Sequence, residues 1–342
     1  MIPDVPRVAL ATLPTPLVAA PRLSEAVGVE VWIKRDDLTG LLLGGNKARK
    51  LEFLCGEALA RGADTLVTGG GSGSNHVPLT AAAAGRLGLS CVAVCYGSPP
   101  LAGTEPLGLR LTRHLGADVV FTGSGERVSV DTRLEEVAAK LSTDGRVPYV
   151  IPRGGASAVG AVGYAVAAAE LAGQLAAAGV ARATVLLATG SCGTQAGLVA
   201  GAGLPSSFRA GATVAVQVLG VPVSRPPDEV VERVARLATG CAARLGSDRV
   251  FTGDDVSLLG GYIGPGYGKP SSEGDEAAEL ALRTEALILD PVFTAKAMAA
   301  LVAEARAGRL TGPVVFLHTG GTPAALAALA APAAPAAPAV LP

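Results

Sequence analysis

The residues best placed to do chemistry lie in Gly44-Gly45-Asn46-Lys47-Ala48-Arg49-Lys50-Leu51-Glu52. The pattern predicts a helix over Lys47–Arg61 that opens with three cations just after Gly44-Gly45-Asn46. Cations at a helix N-terminus oppose the helix dipole by roughly 0.3–1 kcal/mol each unless something offsets them. A nearby anion would do so. Lysine is also a nucleophile toward carbonyl carbon once its amine is neutral.

Two further segments supply complementary groups. In Ala188-Thr189-Gly190-Ser191-Cys192-Gly193-Thr194-Gln195-Ala196-Gly197-Leu198 a strand ends, small residues turn and a helix begins. Backbone N–H groups at such a turn converge on one spot and suit a phosphate, with Ser191 and Thr194 as added hydroxyl donors. An ordinary strand-to-helix turn accounts for the same residues equally well. Gly69-Gly70-Gly71-Ser72-Gly73-Ser74-Asn75-His76 permits unusual backbone angles and close approach to a ligand carboxylate. Ser74 or Asn75 capping a helix from His76 is the plainer reading, and both can hold. The chain has neither the Lys-Ser/Thr ending of a nucleoside-triphosphate loop nor any Gly-x-Gly-x-x-Gly. A phosphorylated cofactor held through a Schiff base on Lys47 fits these parts together.

Other motifs are weaker alone. Gly264-Pro265-Gly266-Tyr267-Gly268, Asp290-Pro291-Val292-Phe293-Thr294 and His318-Thr319-Gly320-Gly321-Thr322-Pro323 each read as turns. His318 reads as a structural histidine. Cys192 has no visible partner base and reads as a small packing residue rather than a nucleophile.

The elements that must position these residues alternate. Short aliphatic strands are expected at Val29–Lys34, Thr65–Thr68, Cys91–Cys95, Val119–Phe121, Tyr149–Ile151, Thr184–Ala188, Thr213–Val218 and Val314–His318, with helices between most of them. Repeated strand–helix units predict an α/β protein with mostly parallel sheet covered on both faces. Ligands in such folds sit beyond the carboxyl ends of strands, where the three Gly-rich loops lie. The 342 residues suffice for two domains, and apolar residues make up 49% but aromatics only 4%, with 45 glycines. That small aliphatic content suits close packing of helix on sheet. The segment Ala156 to Leu187 is apolar but interrupted, and predicts a buried helix and strand rather than a membrane span.

A net charge of −1 gives no nucleic-acid footprint. The five cysteines include no Cys-x-x-Cys pair and the three histidines are scattered, so neither a disulfide framework nor a metal site is expected. Cysteine usage and the absence of a secretory pattern at the N-terminus point to a reducing cytoplasm. The Ala/Pro-rich residues 331–342 are expected to be a disordered tail.

Taken together the motifs resemble the fold-type II (tryptophan synthase β-like) pyridoxal-phosphate enzymes. More narrowly they resemble the D-cysteine desulfhydrase and 1-aminocyclopropane-1-carboxylate deaminase family. The resemblance runs from Leu13-Pro14-Thr15-Pro16-Leu17 to Ala330 and includes Lys34-Arg35-Asp36-Asp37, Ile151-Pro152-Arg153-Gly154-Gly155 and Arg283-Thr284-Glu285. It implies a small domain, residues 55–161, inserted into a larger one of residues 1–54 and 162–330, and a homodimer. It implies that Lys47 holds pyridoxal 5'-phosphate as a Schiff base and moves the substrate Cα proton. Asn75 would bond the cofactor's phenolic oxygen, and Lys50 with Ser191, Cys192, Gly193 and Thr194 would form the phosphate site. Ser74, Asn75 and His76 would cradle the substrate carboxylate, with Ser74 a proton-transfer group. Tyr267 and Phe293 would line the substrate pocket, Tyr267 with a catalytic role.

Thr294 falls where the family places the partner of the pyridine nitrogen, and Thr319 joins the cofactor set. The ring-opening deaminases carry Glu and Leu at those two positions, so this chain resembles the desulfhydrases. A hydroxyl partner leaves the ring a weaker electron sink, which suits elimination of a good leaving group. The chain departs from the family pattern at Phe293, where tyrosine is usual, at Ser72-Gly73 before Ser74, and at Pro78. The implied activity is β-elimination from a small amino acid such as D-cysteine. Ring-opening deamination, β-replacement, and a cofactor-binding scaffold without turnover are the other readings.

Overall fold

The computed structural model describes residues 5–101, 103–205, 208, 211 and 213–330; the expected tail, residues 331–342, lies outside them. Its strands are β1 (Leu17–Ala19), β2 (Val31–Lys34), β3 (Thr65–Gly70), β4 (Ser90–Cys95), β5 (Asp118–Phe121), β6 (Pro148–Ile151), β7 (Arg182–Thr189), β8 (Ala215–Pro222), β9 (Ser257–Leu258) and β10 (Val314–Leu317). Its helices are α1 (Pro21–Val27), α2 (Lys47–Ala60), α3 (His76–Leu87), α4 (Leu107–His114), α5 (Ser129–Thr143), α6 (Ala158–Ala177), α7 (Gly193–Gly203), α8 (Pro227–Arg244), α9 (Ser272–Glu285), α10 (Thr294–Arg306) and α11 (Thr322–Ala330).

The strands form two sheets. One has the order β1-β2-β10-β7-β8-β9, the other β5-β4-β3-β6. Among the described residues only the β1–β2 pair is antiparallel. The central strands are buried on both faces, as parallel strands covered by helices require: every residue of β3 and β10 is buried. β2 begins two residues later than expected and β8 runs on to Pro222. The short edge strands β1 and β9 carry too few residues for a readable period.

The small side chains serve helix-on-helix contact more than helix-on-sheet contact. A Cβ on Gly197 of α7 would sit 2.2 Å from the Ala161 carbonyl oxygen of α6, and one on Gly163 of α6 would sit 2.2 Å from that of Arg49 in α2. Backbones that approach this closely leave no room for a methyl group. The apolar segment noted above is α6 followed by β7. Among the described residues α6 alone is long and apolar enough to cross a membrane, and it packs instead among α2, α7 and α8.

Behind the start of α2 lies a buried polar network. The Arg49 guanidinium donates to both oxygens of Asp36 at 2.9 Å and to both of Glu170 at 2.8 and 2.9 Å. Lys34 donates to Glu170, to the Gln174 side chain at 2.7 Å and to the Thr15 carbonyl at 2.7 Å. The Tyr164 and Thr15 hydroxyls also donate to Asp36. Arg49 thus finds its anions inside the fold. Of the three cations that open α2, Lys47 and Lys50 are left without a hydrogen-bonded carboxylate.

Candidate active site

The loops that follow β3, β7 and β10 converge at the carboxyl ends of their strands on one cavity of about 310 Å³. Its wall includes Lys47 with Asn46, Gly69–Gly71, Ser74–His76, Ala188–Gln195 other than Gly193, and Thr319 with Gly320. Tyr267 and Phe293 complete an aromatic side, their rings edge to face with centroids 6.2 Å apart.

Lys47 is half-buried at the first turn of α2, and its amine donates to Asn46 Oδ1 at 2.8 Å. Asn46 in turn donates to the Thr194 hydroxyl at 3.0 Å. Its backbone N–H donates to the Thr319 carbonyl at 2.9 Å. One asparagine therefore ties the lysine to two of the Gly-rich loops. Burial of the amine lowers the Lys47 pKa to about 8, against the opposing field of Asp290. Lys50, one turn on, is fully buried. Burial, and secondly the charge of Lys47, hold its pKa well below the ordinary lysine range. Its amine sits behind the wall, against Gly193, and donates weakly to the Gly154 carbonyl at 3.3 Å.

The turn after β7 is tight. Cys192 adopts φ 74°, and Gly193 and Thr194 open α7, whose first-turn N–H groups lack intrahelical acceptors. The Cys192 thiol is buried, which raises its pKa and suits packing rather than attack. A Cβ on Gly154, itself at φ 69°, would meet Ser191 Oγ at 2.7 Å. Arg233 donates from Nε to the Ser191 carbonyl at 3.3 Å, beside this turn.

In the loop after β3, Ser74 Oγ accepts from the His76 N–H at 3.1 Å. His76 is buried, its Nε2 is 2.9 Å from the Thr68 hydroxyl, and its Nδ1 is enclosed with no partner. Burial and the charges of Lys47 and Lys50 hold its pKa well below the usual range, so the ring is neutral. Asn75 precedes α3 with its side chain making no cap, and it faces the cavity.

The segment before α10 differs in detail from expectation. Asp290, not Thr294, lies on the wall. The Asp290 carboxylate accepts from the N–H groups of Val292, Phe293 and Thr294 at 2.9–3.0 Å and from the Thr294 hydroxyl at 2.8 Å. Those bonds lower its pKa, but complete burial dominates and raises it. Thr294 is buried behind it, its hydroxyl also accepting from the Asp290 N–H at 2.7 Å. His318 is likewise buried, with Nε2 3.1 Å from the Ile288 carbonyl, as a structural histidine.

Sequence reasoning did not single out Asn46, Asp290, Arg127, Arg153 or Arg233 for the site. Asn46 and Asp290 stand inside quoted motifs, next to the lysine and the proline. Arg153 stands in the quoted Ile151–Gly155 motif with no role read for it, and Arg127 and Arg233 come from other elements and carry no local signal.

A family model described as pyridoxal-phosphate dependent enzyme matches residues 8–320. The D-cysteine desulfhydrase of Salmonella choleraesuis (strain SC-B67) is 42% identical over 329 residues, 94% of this chain and 96% of that protein. A crystal structure described as the ACC deaminase homologue superposes with TM-score 0.83 at 37% identity, over 94% of this chain and 93% of the other. Threonine deaminase isoform 2 from Solanum lycopersicum, 20% identical, covers 91% of this chain and 80% of its own with TM-score 0.62, a likeness of fold.

The cavity suits such a cofactor on its own evidence. Lys47, Lys50 and Arg233 are brought together by the fold, and none hydrogen-bonds a carboxylate. Their shared field faces a helix N-terminus, so an anionic phosphate relieves what would otherwise be uncompensated charge. The chain belongs to the pyridoxal-phosphate dependent enzymes.

Proposed function

We propose that the protein is a lyase that eliminates the β-substituent of a small amino acid such as D-cysteine, releasing a keto acid, ammonia and the leaving group. The observation that carries this reading is the placement of Lys47, with its lowered pKa, on a cavity walled by all three Gly-rich loops. The resemblance to desulfhydrases over nearly the whole chain supports it.

When bound, pyridoxal phosphate supplies an electron sink that acidifies the substrate Cα–H. Lys47 is the residue we assign to hold it covalently. With the cofactor bound, Lys47 Nζ would be the group that takes the substrate Cα proton. Lys50 and the turn Ser191, Cys192, Gly193 and Thr194 would hold the phosphate, and Thr319 would belong to the cofactor-binding set. Asn75 would bond the phenolic oxygen and Thr294 would serve the pyridine nitrogen, with its hydrogen-bond partner Asp290 beside it. Ser74, Asn75 and His76 receive the substrate carboxylate. Ser74 and Tyr267 are assigned to proton transfer, and Tyr267 with Phe293 encloses the substrate side chain and excludes water.

We assign residues 1–54 and 162–330 to the larger domain and 55–161 to the smaller; β3 to β6 all fall in the latter, which supports the division. A homodimer in a reducing cytoplasm completes the reading.

The test is an absorbance spectrum of the purified holoenzyme during addition of D-cysteine, with sulfide and pyruvate assayed. Sulfide and pyruvate should appear together, and Lys47→Ala should abolish both. Appreciable elimination by that variant would refute the mechanism. 2-Oxobutyrate from 1-aminocyclopropane-1-carboxylate would redirect the reading to ring opening.

A further inference from the structure

The charge on the cavity wall exceeds what the cofactor site uses. Arg153 is matched by Asp131, which it meets with two bonds of 2.6 and 2.8 Å. Arg225 pairs with Glu229 at 3.2 Å. Lys47 faces Asp290. Among the described residues two wall guanidiniums hydrogen-bond no carboxylate: Arg233, beside the Ser191 turn and Lys50, and Arg127.

Arg127 belongs to a different part of the wall. Its guanidinium carbon lies 4.1 Å above the Tyr267 ring, and its Nη1 donates to the Ser224 carbonyl at 3.3 Å. Among the described residues its other N–H donors have no acceptor, and the residue is half-buried. Phe293, whose edge meets Tyr267, offers no polar atom there. The aromatic side assigned to the substrate side chain thus carries one fixed cation with donors to spare. A partly desolvated guanidinium is a strong receptor for an oxyanion, which it can meet with two parallel bonds.

We propose that, besides a substrate such as D-cysteine, the protein takes a small amino acid whose β-substituent carries an oxyanion, and that Arg127 is the residue that reads this charge. The inference rests on the elimination reading and adds a substrate class to it. In the step, the Cα–H bond breaks and Lys47 takes the proton, while the freed pair forms the Cα=Cβ bond. The Cβ–O bond breaks, and its electron pair leaves on the oxyanion group. Water then converts the enamine to keto acid and ammonia, with no net redox change. Arg127 binds the anion in the ground state and stabilises the charge that grows on the leaving group.

The probes are O-phosphoserine and O-acetylserine, in both enantiomers, compared by kcat/KM for pyruvate release. The wild-type holoenzyme should favour the phosphorylated substrate by about tenfold or more. Arg127→Met should shrink that ratio by about ten- to a hundredfold, the value of a charge-assisted hydrogen bond, and Arg127→Lys should restore part of it. A second readout needs no turnover: the Kd ratio of asparagine to aspartate, taken from the cofactor's absorbance, should fall in the same variants. A ratio indifferent to Arg127→Met, or an equal loss on both substrates, would overturn the proposal, since an arginine that merely braces Tyr267 affects both alike. If neither serine ester yields pyruvate while D-cysteine does, the oxyanion class is overturned and the elimination reading stands; if D-cysteine also yields none, the elimination reading fails and the aspartate–asparagine ratio still decides the role of Arg127.

Discussion

At the scale of the residue, Lys47 is governed by two opposed influences. Burial favours the neutral amine, and Asp290 favours the ammonium, leaving a pKa of about 8. Only the neutral amine attacks an aldehyde, and it predominates above that value. The rate at which cofactor-free protein captures pyridoxal phosphate should therefore rise with pH to a midpoint near 8, by stopped-flow absorbance. Asp290→Asn removes the opposing charge and should move the midpoint lower. A midpoint at the ordinary lysine value would show that the amine is not enclosed as described. Two thiols behave in the opposite sense: burial pushes Cys55 and Cys91 up to about 12. Both should resist a thiol reagent at neutral pH until the protein is unfolded by denaturant, and rapid labelling of the native protein would contradict their placement in the core.

At the scale of the element, the local signals in the chain are accurate and the non-local ones silent. The opening of α2 at Lys47 and of α3 at His76 follows from the glycines before each and the residues that start each helix, all within a few positions. The turn after β7 is legible for the same reason. Asn46 as a bridge between loops is not, because its partners Thr194 and Thr319 lie 148 and 273 positions away, the differences between those residue numbers. The glycine-rich composition does not by itself say which glycines face another backbone, and the structure singles out a few. Gly197→Ala drives a methyl group into the Ala161 carbonyl of α6 and should destabilise by ~1–3 kcal/mol through overpacking. Gly173→Ala, exposed on α6 with open space at its Cβ, should instead stabilise by roughly 0.5–1 kcal/mol. Denaturant midpoints of the two variants should move in opposite directions, and a shared direction would refute the α6–α7 contact.

At the scale of the molecule, the network around Arg49 joins the N-terminal segment, β2, α2 and α6, and so fixes the helix that carries Lys47 to the sheet beneath. Asp36 is fully buried, and the Arg49 charge and its hydrogen bonds outweigh burial to hold its carboxyl below the usual range. Removing the guanidinium strands that carboxylate, so Arg49→Met should cost about 3–5 kcal/mol at neutral pH. The pH dependence distinguishes this cause from simple loss of packing. In the wild type the native state binds fewer protons at Asp36 than the unfolded chain does, so stability falls as pH drops through the unfolded value of 3.8. In Arg49→Met burial is no longer opposed by that guanidinium, the Asp36 pKa moves above its unfolded value, and protonation favours the native state. The gap in unfolding free energy between wild type and variant should therefore narrow steadily from pH 7 toward pH 4, in urea titrations at each pH. A gap independent of pH would mean that Arg49 acts through its packed stem and that Asp36 is satisfied without it.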